Sequence, residues 1–170
     1  MNGPFADQFH EATELEIQTL ETLGAWIKVK RTSTMNVIKS TWAFKIKRYP
    51  NGLLRKLKAR FCVRGDMQIE GVDYFDTFAP VVQWTTVRTL LIIAMQLKLK
   101  TAQVDYTAAF PQAPLDDEVY VEMPRGFKEP GYVYKLQKSL YGLKQSPKNV
   151  FEHLKSQLEG VGFEQSTADA

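Results

Sequence analysis

With 170 residues, of which 44% are hydrophobic and 24% charged, the chain is long enough for one domain with a core and has a globular composition. No apolar run reaches the length of a membrane span, and we expect no secretory signal at the start. Cys62 is the single cysteine, which excludes an internal disulfide, so we expect a buried thiol rather than a catalytic one. His10 and His153 lack ligand partners at useful spacing, which argues against a histidine metal site.

Charge is distributed unevenly along the sequence, although the net charge is only +3. Residues 28–64 contain twelve Lys or Arg and no Asp or Glu, whereas the remainder has ten basic and nineteen acidic residues. Twelve like charges without counter-charges repel one another, so this segment favours a face for polyanions such as nucleic acid or nucleotide phosphates. The alternative is a solvated basic hairpin with no partner.

The first half of the chain predicts one helix and three strands. A helix over residues 4–23 ends at Gly24, a strand covers 25–30, and residues 32–40 are polar and loop-like. Strands over 41–49 and 53–64 flank the turn signal 50–52, which predicts a hairpin. Alternation places basic residues on one of its faces, namely Lys45, Lys47, Lys56, Lys58 and Arg60.

The second half begins with a helix capped by Thr85 or Thr86 and running to about residue 98. Because it is apolar nearly all round, we expect it to be buried in the core of something larger. A short strand over 101–105 follows, then strands over 119–122 and 132–136. Ser146 as N-cap and Pro147 at the first helical position predict a last helix to about residue 160.

Asp105, at the end of the predicted strand 101–105, is the candidate site residue on which the functional interpretation depends. A carboxylate at the end of a strand can hold a metal ion, and the backbone N–H groups that follow can face a phosphate. The alternative is a surface aspartate that caps a turn. The nearby acidic cluster over 116–118 is more simply solvated than metal-binding.

Several short boxes occur in a fixed order along almost the whole chain. They lie at residues 42–48, 58–60, 71–74 with 77–82, 104–105 with 109–110, 118–124 with 126–127, and 139–147. These boxes resemble the reverse transcriptase of copia-type LTR retrotransposons. The resemblance implies an α+β fold, an incomplete right-hand polymerase whose fingers β-hairpin and partial palm sheet pack on helices. Its parts would be an N-terminal helix and strand (1–41), the fingers (42–100), and a partial palm with a second fingers segment (101–170).

The resemblance also implies which residues contact the nucleotide. Lys47 and Arg60 would hold the triphosphate of the incoming deoxynucleotide, with Lys45 and Lys58 as neighbours that could substitute for them. The other implied contacts are backbone N–H groups of Ala108 and Ala109 on phosphate oxygens, Phe110 as the aromatic gate under the sugar, and Tyr141 and Gly142 against the nucleotide and template base.

For the metal, the resemblance implies two Mg²⁺ ions in the complete enzyme. Asp105 would be the first catalytic carboxylate and would bind both ions, and the Tyr106 carbonyl would ligate the second. The family's Tyr-x-Asp-Asp box, which supplies the other carboxylates, does not occur in the 170 residues. We therefore expect the polypeptide alone not to polymerise DNA.

The implied function is a fragment of an RNA-directed DNA polymerase, a nucleotidyltransferase that acts on a primed RNA or DNA template with deoxynucleoside triphosphates. Two alternatives remain: a non-catalytic nucleic-acid-binding module, and a decayed product with no role. From the family resemblance alone, we expect the protein to occur in cytoplasmic virus-like particles and to enter the nucleus. We also expect an uncovered apolar face at the predicted helix 85–98 and the incomplete palm sheet.

Overall fold

The computed structural model describes residues 4–166 as a mixture of helices and strands, which confirms the predicted α+β class. In chain order the elements are α1 (Ala6–Thr22), β1 (Trp26–Lys30), β2 (Val37–Ile38), β3 (Ser40–Arg48), β4 (Leu54–Val63), a 3-10 turn (Gly65–Met67), α2 (Trp84–Gln96), α3 (Ala109–Gln112), β5 (Tyr120–Val121), β6 (Tyr132–Leu136) and α4 (Ser146–Gly160). No helix in this described part of the chain is long and apolar enough to cross a membrane.

The strands form two sheets. One has four strands in the order β1-β6-β5-β2, in which β1 and β5 run antiparallel to β6, and β2 runs parallel to β5. The other is the predicted hairpin of β3 and β4, paired from Ser40 opposite Val63 to Arg48 opposite Leu54. The hairpin register therefore follows the alternation in the sequence, with apolar β4 side chains buried on one face and basic ones on the other.

One core joins α1, the hairpin and the four-stranded sheet. Phe61 on β4 is fully buried and lies edge-on to Trp26 of β1, with ring centroids 5.7 Å apart. Trp26 also stacks on Tyr134 of β6 at 4.3 Å, and Leu20 of α1 is buried in the same cluster. Burying these large apolar side chains is the main driving force for holding the hairpin against the larger sheet.

The edge of β4 that does not pair with β3 is occupied by the segment before α4. The Val63 N–H donates to the Tyr141 carbonyl oxygen at 2.8 Å, and Cys62 and Tyr141 form a parallel bridge. Gly142 follows with φ +94°, and a Cβ there would lie 2.1 Å from the Val63 carbonyl oxygen. A Cβ on Gly65 would lie 2.0 Å from the Gly142 carbonyl oxygen. Only glycine permits this contact between two backbones.

Two predictions about the middle of the chain are wrong, namely the cap of one helix and the strand that follows it. The helix exists as α2, but it begins at Trp84 and no side chain caps it. None of its residues is buried within residues 4–166, which confirms the expected uncovered apolar face. The strand over 101–105 does not form, because no strand among residues 4–166 pairs with it, and the chain there has no regular structure until Ala109.

Smaller differences affect local structure. Residues 32–40, expected to be a loop, contain the short strand β2 and the first residue of β3. Ser146 is not the N-cap of α4, because its hydroxyl donates to the Leu140 carbonyl oxygen and Gln145 precedes the helix instead. Five elements lie within one or two residues of their predicted positions, namely α1, β1, β5, β6 and α4.

The contact at Gly142 predicts a severe effect of one added methyl group. Gly142→Ala combines a positive φ with a clash against backbone that cannot move aside, so we expect destabilisation of more than about 4 kcal/mol or failure to fold. Gly126→Ala is the matched control, because Gly126 has φ +98° but open space around its Cα. It should cost only about 1 kcal/mol. Urea unfolding of both variants tests this, and equal losses would show that the clash is unimportant.

Candidate functional site

Five cations on one side of the hairpin form what we call the basic face: Lys45, Lys47, Lys56, Lys58 and Arg60. Two lysine pairs lie directly opposite each other across the strands, Lys45 with Lys58 and Lys47 with Lys56. Directly opposed side chains in an antiparallel pair have Cβ atoms about 5 Å apart, a distance at which like charges destabilise the sheet. The hairpin thus concentrates positive charge at a cost to its own stability.

The protein does not neutralise this charge with ion pairs. The salt bridges within residues 4–166 involve none of the five cations of the basic face. Burial lowers the pKa of Lys58, and the neighbouring Arg60 lowers it further. Both effects disfavour the ammonium form, and the Glu16 carboxylate offsets them only in part, so an anion bound beside Lys58 would relieve the remaining repulsion.

A cavity of about 170 Å³ opens at the edge of the basic face, between α1, β4 and the loop before α3. Among the residues lining it are Lys56 and Lys58 of the basic face, Ala108, Tyr141 and Glu16. The structure therefore brings together Lys58, Ala108 and Tyr141, which are distant in sequence and were each predicted to contact the nucleotide.

Tyr141 connects the basic face to α3, the short helix that contains Phe110. The Arg60 guanidinium lies over the Tyr141 ring, 5.0 Å from its centroid, and the Phe110 ring meets Tyr141 edge-on at 5.1 Å. Burial raises the pKa of the Tyr141 phenol, so it remains a neutral hydroxyl. The Arg60 Nε is buried and has no hydrogen-bond partner within the described residues. A buried guanidinium N–H without an acceptor is costly and would gain from a bound anion.

Ala108 adopts the left-handed conformation with φ 50° and ψ 51°, immediately before α3. A non-glycine residue pays about 1 kcal/mol or more for this backbone, and such residues occur often at ligand sites. The strain turns the loop so that Thr107 and Ala108 line the cavity beside Lys58.

Asp105 lies apart from this cavity. It is exposed and, with Tyr106 and Ala109, lines a separate cavity of about 320 Å³ against α4, where Val150 and His153 face it. Some of the predicted site residues therefore line the first cavity and others the second, and the remainder line neither. Gly142 contacts Val63, as described above, and Lys45 and Lys47 lie exposed on β3.

The carboxylates near Asp105 do not complete a magnesium site. No group of three His, Cys, Asp or Glu side chains in residues 4–166 is close enough to hold a metal ion. In the acidic cluster, Asp117 accepts a hydrogen bond from Gln145, and Glu118 accepts from Tyr120 and Lys135. These carboxylates stabilise the fold, and Asp105 belongs to no group of described side chains that could hold the two ions.

Sequence reasoning missed a buried polar network behind Tyr141. Asp73 is 1% exposed and accepts hydrogen bonds from Asn36 and the Ile69 N–H, each at 2.7 Å. Gln145 donates to the Asp73 carbonyl oxygen at 2.7 Å and accepts from Gln68 at 2.9 Å. The network joins the loop after β4 to the segment 139–147. Asp73 and Gln145 belong to two of the sequence boxes, but nothing in their spacing indicated that they meet.

The second residue missed is Glu16, on the buried side of α1. Its carboxylate accepts a hydrogen bond from the Phe61 N–H at 3.4 Å. Burial raises its pKa, while the Phe61 N–H, Lys58 and Arg60 act in the opposite direction. In the sequence it is one of several glutamates on an amphipathic helix, and no pattern separates it from the exposed ones.

Comparison with known proteins gives a consistent family. The reverse transcriptase (RNA-dependent DNA polymerase) family matches residues 24–170. The chain is 34% identical over 99% of its length to the retrovirus-related Pol polyprotein from transposon TNT 1-94 of Nicotiana tabacum. It is 38% and 37% identical, over 81% and 80% of its length, to those from transposons RE1 and RE2 of Arabidopsis thaliana.

The chain spans only 13% of the first of these relatives and 10% of each of the other two. No solved structure matches it.

The raised pKa of Glu16 predicts how stability depends on pH. A carboxyl group whose pKa is higher in the folded state stabilises the fold while protonated, and this contribution is lost as pH rises through the folded pKa. Glu16→Gln removes the titration but can still accept from the Phe61 N–H. We expect the variant to gain stability relative to the parent as pH increases from roughly 4 to 8.

Urea unfolding across that range measures the difference. The exposed Glu11→Gln controls for the loss of one carboxylate from the same helix. A difference between the parent and Glu16→Gln that does not change with pH would contradict the prediction.

Proposed function

Because the chain belongs to the reverse transcriptase (RNA-dependent DNA polymerase) family, in its copia-type branch, we propose that its basic face binds the triphosphate of an incoming deoxynucleotide. In this proposal residues 42–100 form the fingers of the polymerase, residues 101–170 a partial palm with a second fingers segment, and residues 1–41 the segment preceding them. The chain then contributes the nucleotide-facing part of a larger polymerase that acts on a primed template.

The proposal depends on the two opposed lysine pairs, which form no salt bridge within residues 4–166. A triphosphate supplies several negative charges in a row, which matches cations spaced along two adjacent strands. Lys47 and Arg60 are the first candidates for phosphate contacts, with Lys45 and Lys58 beside them. The unpartnered Arg60 Nε supports this assignment.

The remaining proposed contacts with the nucleotide involve Tyr141 and residues around it. Ala108 and Ala109 would offer backbone N–H groups to phosphate oxygens, and Phe110 would lie under the sugar. Tyr141 and Gly142 would lie against the nucleotide and template base. The contacts of Tyr141 with Arg60 and Phe110 support a shared role, since one ligand could touch all three side chains.

For the whole polymerase we propose primer extension by phosphoryl transfer with two Mg²⁺ ions, which would supply charge neutralisation at the reacting phosphate. Asp105 and the Tyr106 carbonyl are the candidate ligands in this chain. Because residues 4–166 contain no group of side chains that could hold a metal ion, we assign no step of the reaction to this chain alone.

A second candidate function is nucleic-acid binding without catalysis. The basic face supports it, because opposed lysine pairs can bind phosphates whether or not a metal site is complete. In either case a primed template is the proposed partner. On the family resemblance alone we also propose location in cytoplasmic particles and the nucleus.

Neutralising one lysine pair should weaken triphosphate binding. In the double variant Lys45→Gln, Lys58→Gln, we expect affinity for a deoxynucleoside triphosphate or inorganic tripolyphosphate to fall roughly tenfold or more, since charge-assisted contacts are lost. Titration calorimetry of the 170-residue chain measures it. The control Lys98→Gln, Lys100→Gln removes the same charge from an exposed segment away from the basic face. Equal losses in both variants would mean non-specific attraction and contradict the assignment.

Primer extension tests the expected inactivity of the 170-residue chain. With primed template, Mg²⁺ and all four deoxynucleotides, we expect the 170-residue chain to bind the template but not to extend the primer. Binding should weaken with salt, with a logarithmic slope of about −0.7 to −0.9 per phosphate contact. Extension above background, with a complete reverse transcriptase as the positive control, would contradict the expected inactivity.

A further inference from the structure

Glu16 lines the cavity at the edge of the basic face. It is the only acidic residue among those lining the cavity of about 170 Å³ that also contains Lys56 and Lys58, and the described residues supply no other negative charge there. Helix α1 brings it from a part of the sequence 40 or so residues away from the lysines. The fold, and not closeness in the sequence, therefore places Glu16 beside these lysines.

The carboxylate is held in place by backbone. Its Oε1 accepts the Phe61 N–H, on the edge of β4 that faces away from β3, one residue from Arg60. The Phe61 N–H belongs to the backbone of a strand and is fixed in position. Moving the Glu16 carboxylate away would leave this buried N–H without a hydrogen-bond acceptor. The salt bridges within residues 4–166 do not include Glu16. The charges of Lys58 and Arg60 nevertheless act on its carboxylate, so it lies near both cations without a direct ion pair.

We propose that Glu16 is an internal counter-anion that limits how tightly the basic face binds anions and thereby acts as an affinity-determining residue of the nucleotide site. The inference rests on the proposed function, since it concerns the same site. A fixed negative charge repels an incoming anion in proportion to the charge that the anion brings, and the half-buried location reduces screening by salt. Its effect should therefore be larger for a triphosphate than for a monophosphate.

Two substitutions separate the effect of the Glu16 charge from the effect of its hydrogen bond. Glu16→Gln removes the charge and keeps an oxygen for the Phe61 N–H, whereas Glu16→Ala removes both. The exposed Glu11→Gln controls for the general change in net charge. The probes are inorganic tripolyphosphate and inorganic phosphate, titrated calorimetrically into the 170-residue chain at low ionic strength.

We expect Glu16→Gln to bind tripolyphosphate roughly three- to thirtyfold more tightly than the parent, with a smaller gain for phosphate and no comparable gain in Glu11→Gln. Binding by Glu16→Gln where the parent shows none would support the inference as well. If the parent binds through the basic face but Glu16→Gln binds equally or more weakly, the inference is wrong and the proposed function stands. If neither protein binds tripolyphosphate, both are wrong.

Discussion

The free edge of β4 is the constraint on which the arrangement of the candidate site depends. A strand edge presents N–H groups that need acceptors, and here they find them in two unrelated parts of the chain. The Glu16 carboxylate takes the Phe61 N–H, and the Tyr141 carbonyl takes the Val63 N–H. The hairpin is thereby fixed between the first helix and the segment before the last one. Tyr141 can reach Arg60 only because Gly142 and Gly65 let the two backbones touch.

The hairpin could be predicted from sequence because its signals are local. Alternation of apolar and basic residues sets the faces, and the turn signal at residues 50–52 joins the two strands. The pairing of Lys45 with Lys58 also depends on a one-residue register shift between Lys47 and Arg48, which the sequence does not reveal. Helices α1 and α4 were predictable for the same reason, since their apolar stripes repeat within the segment itself. The family resemblance placed Tyr141 and Phe110 in one site, and the two rings do meet.

The rest depends on partners that local patterns do not contain. Residues 101–105 alternate like a strand, but a strand is stable only beside another, and none among the described residues lies there. The apolar composition of α2 indicated burial, yet nothing in residues 4–166 covers it. Glu16 became distinctive only through its distance to Phe61, and Gln145 through its contact with Asp73. Such pairs are far apart in sequence, so periodicity cannot reveal them.

The exposure of α2 has a consequence for local motion. An isolated helix of thirteen residues is marginal in water, because few hydrogen bonds offset the entropy lost in forming its first turn. Without packing to hold it, α2 should open far more often than the strands around Phe61, and its amide protons should exchange with solvent first. A protein surface that packed against Leu90, Ile93 and Leu97 would slow that exchange. The exchange rate of the α2 amides would therefore report assembly with other parts of a polymerase.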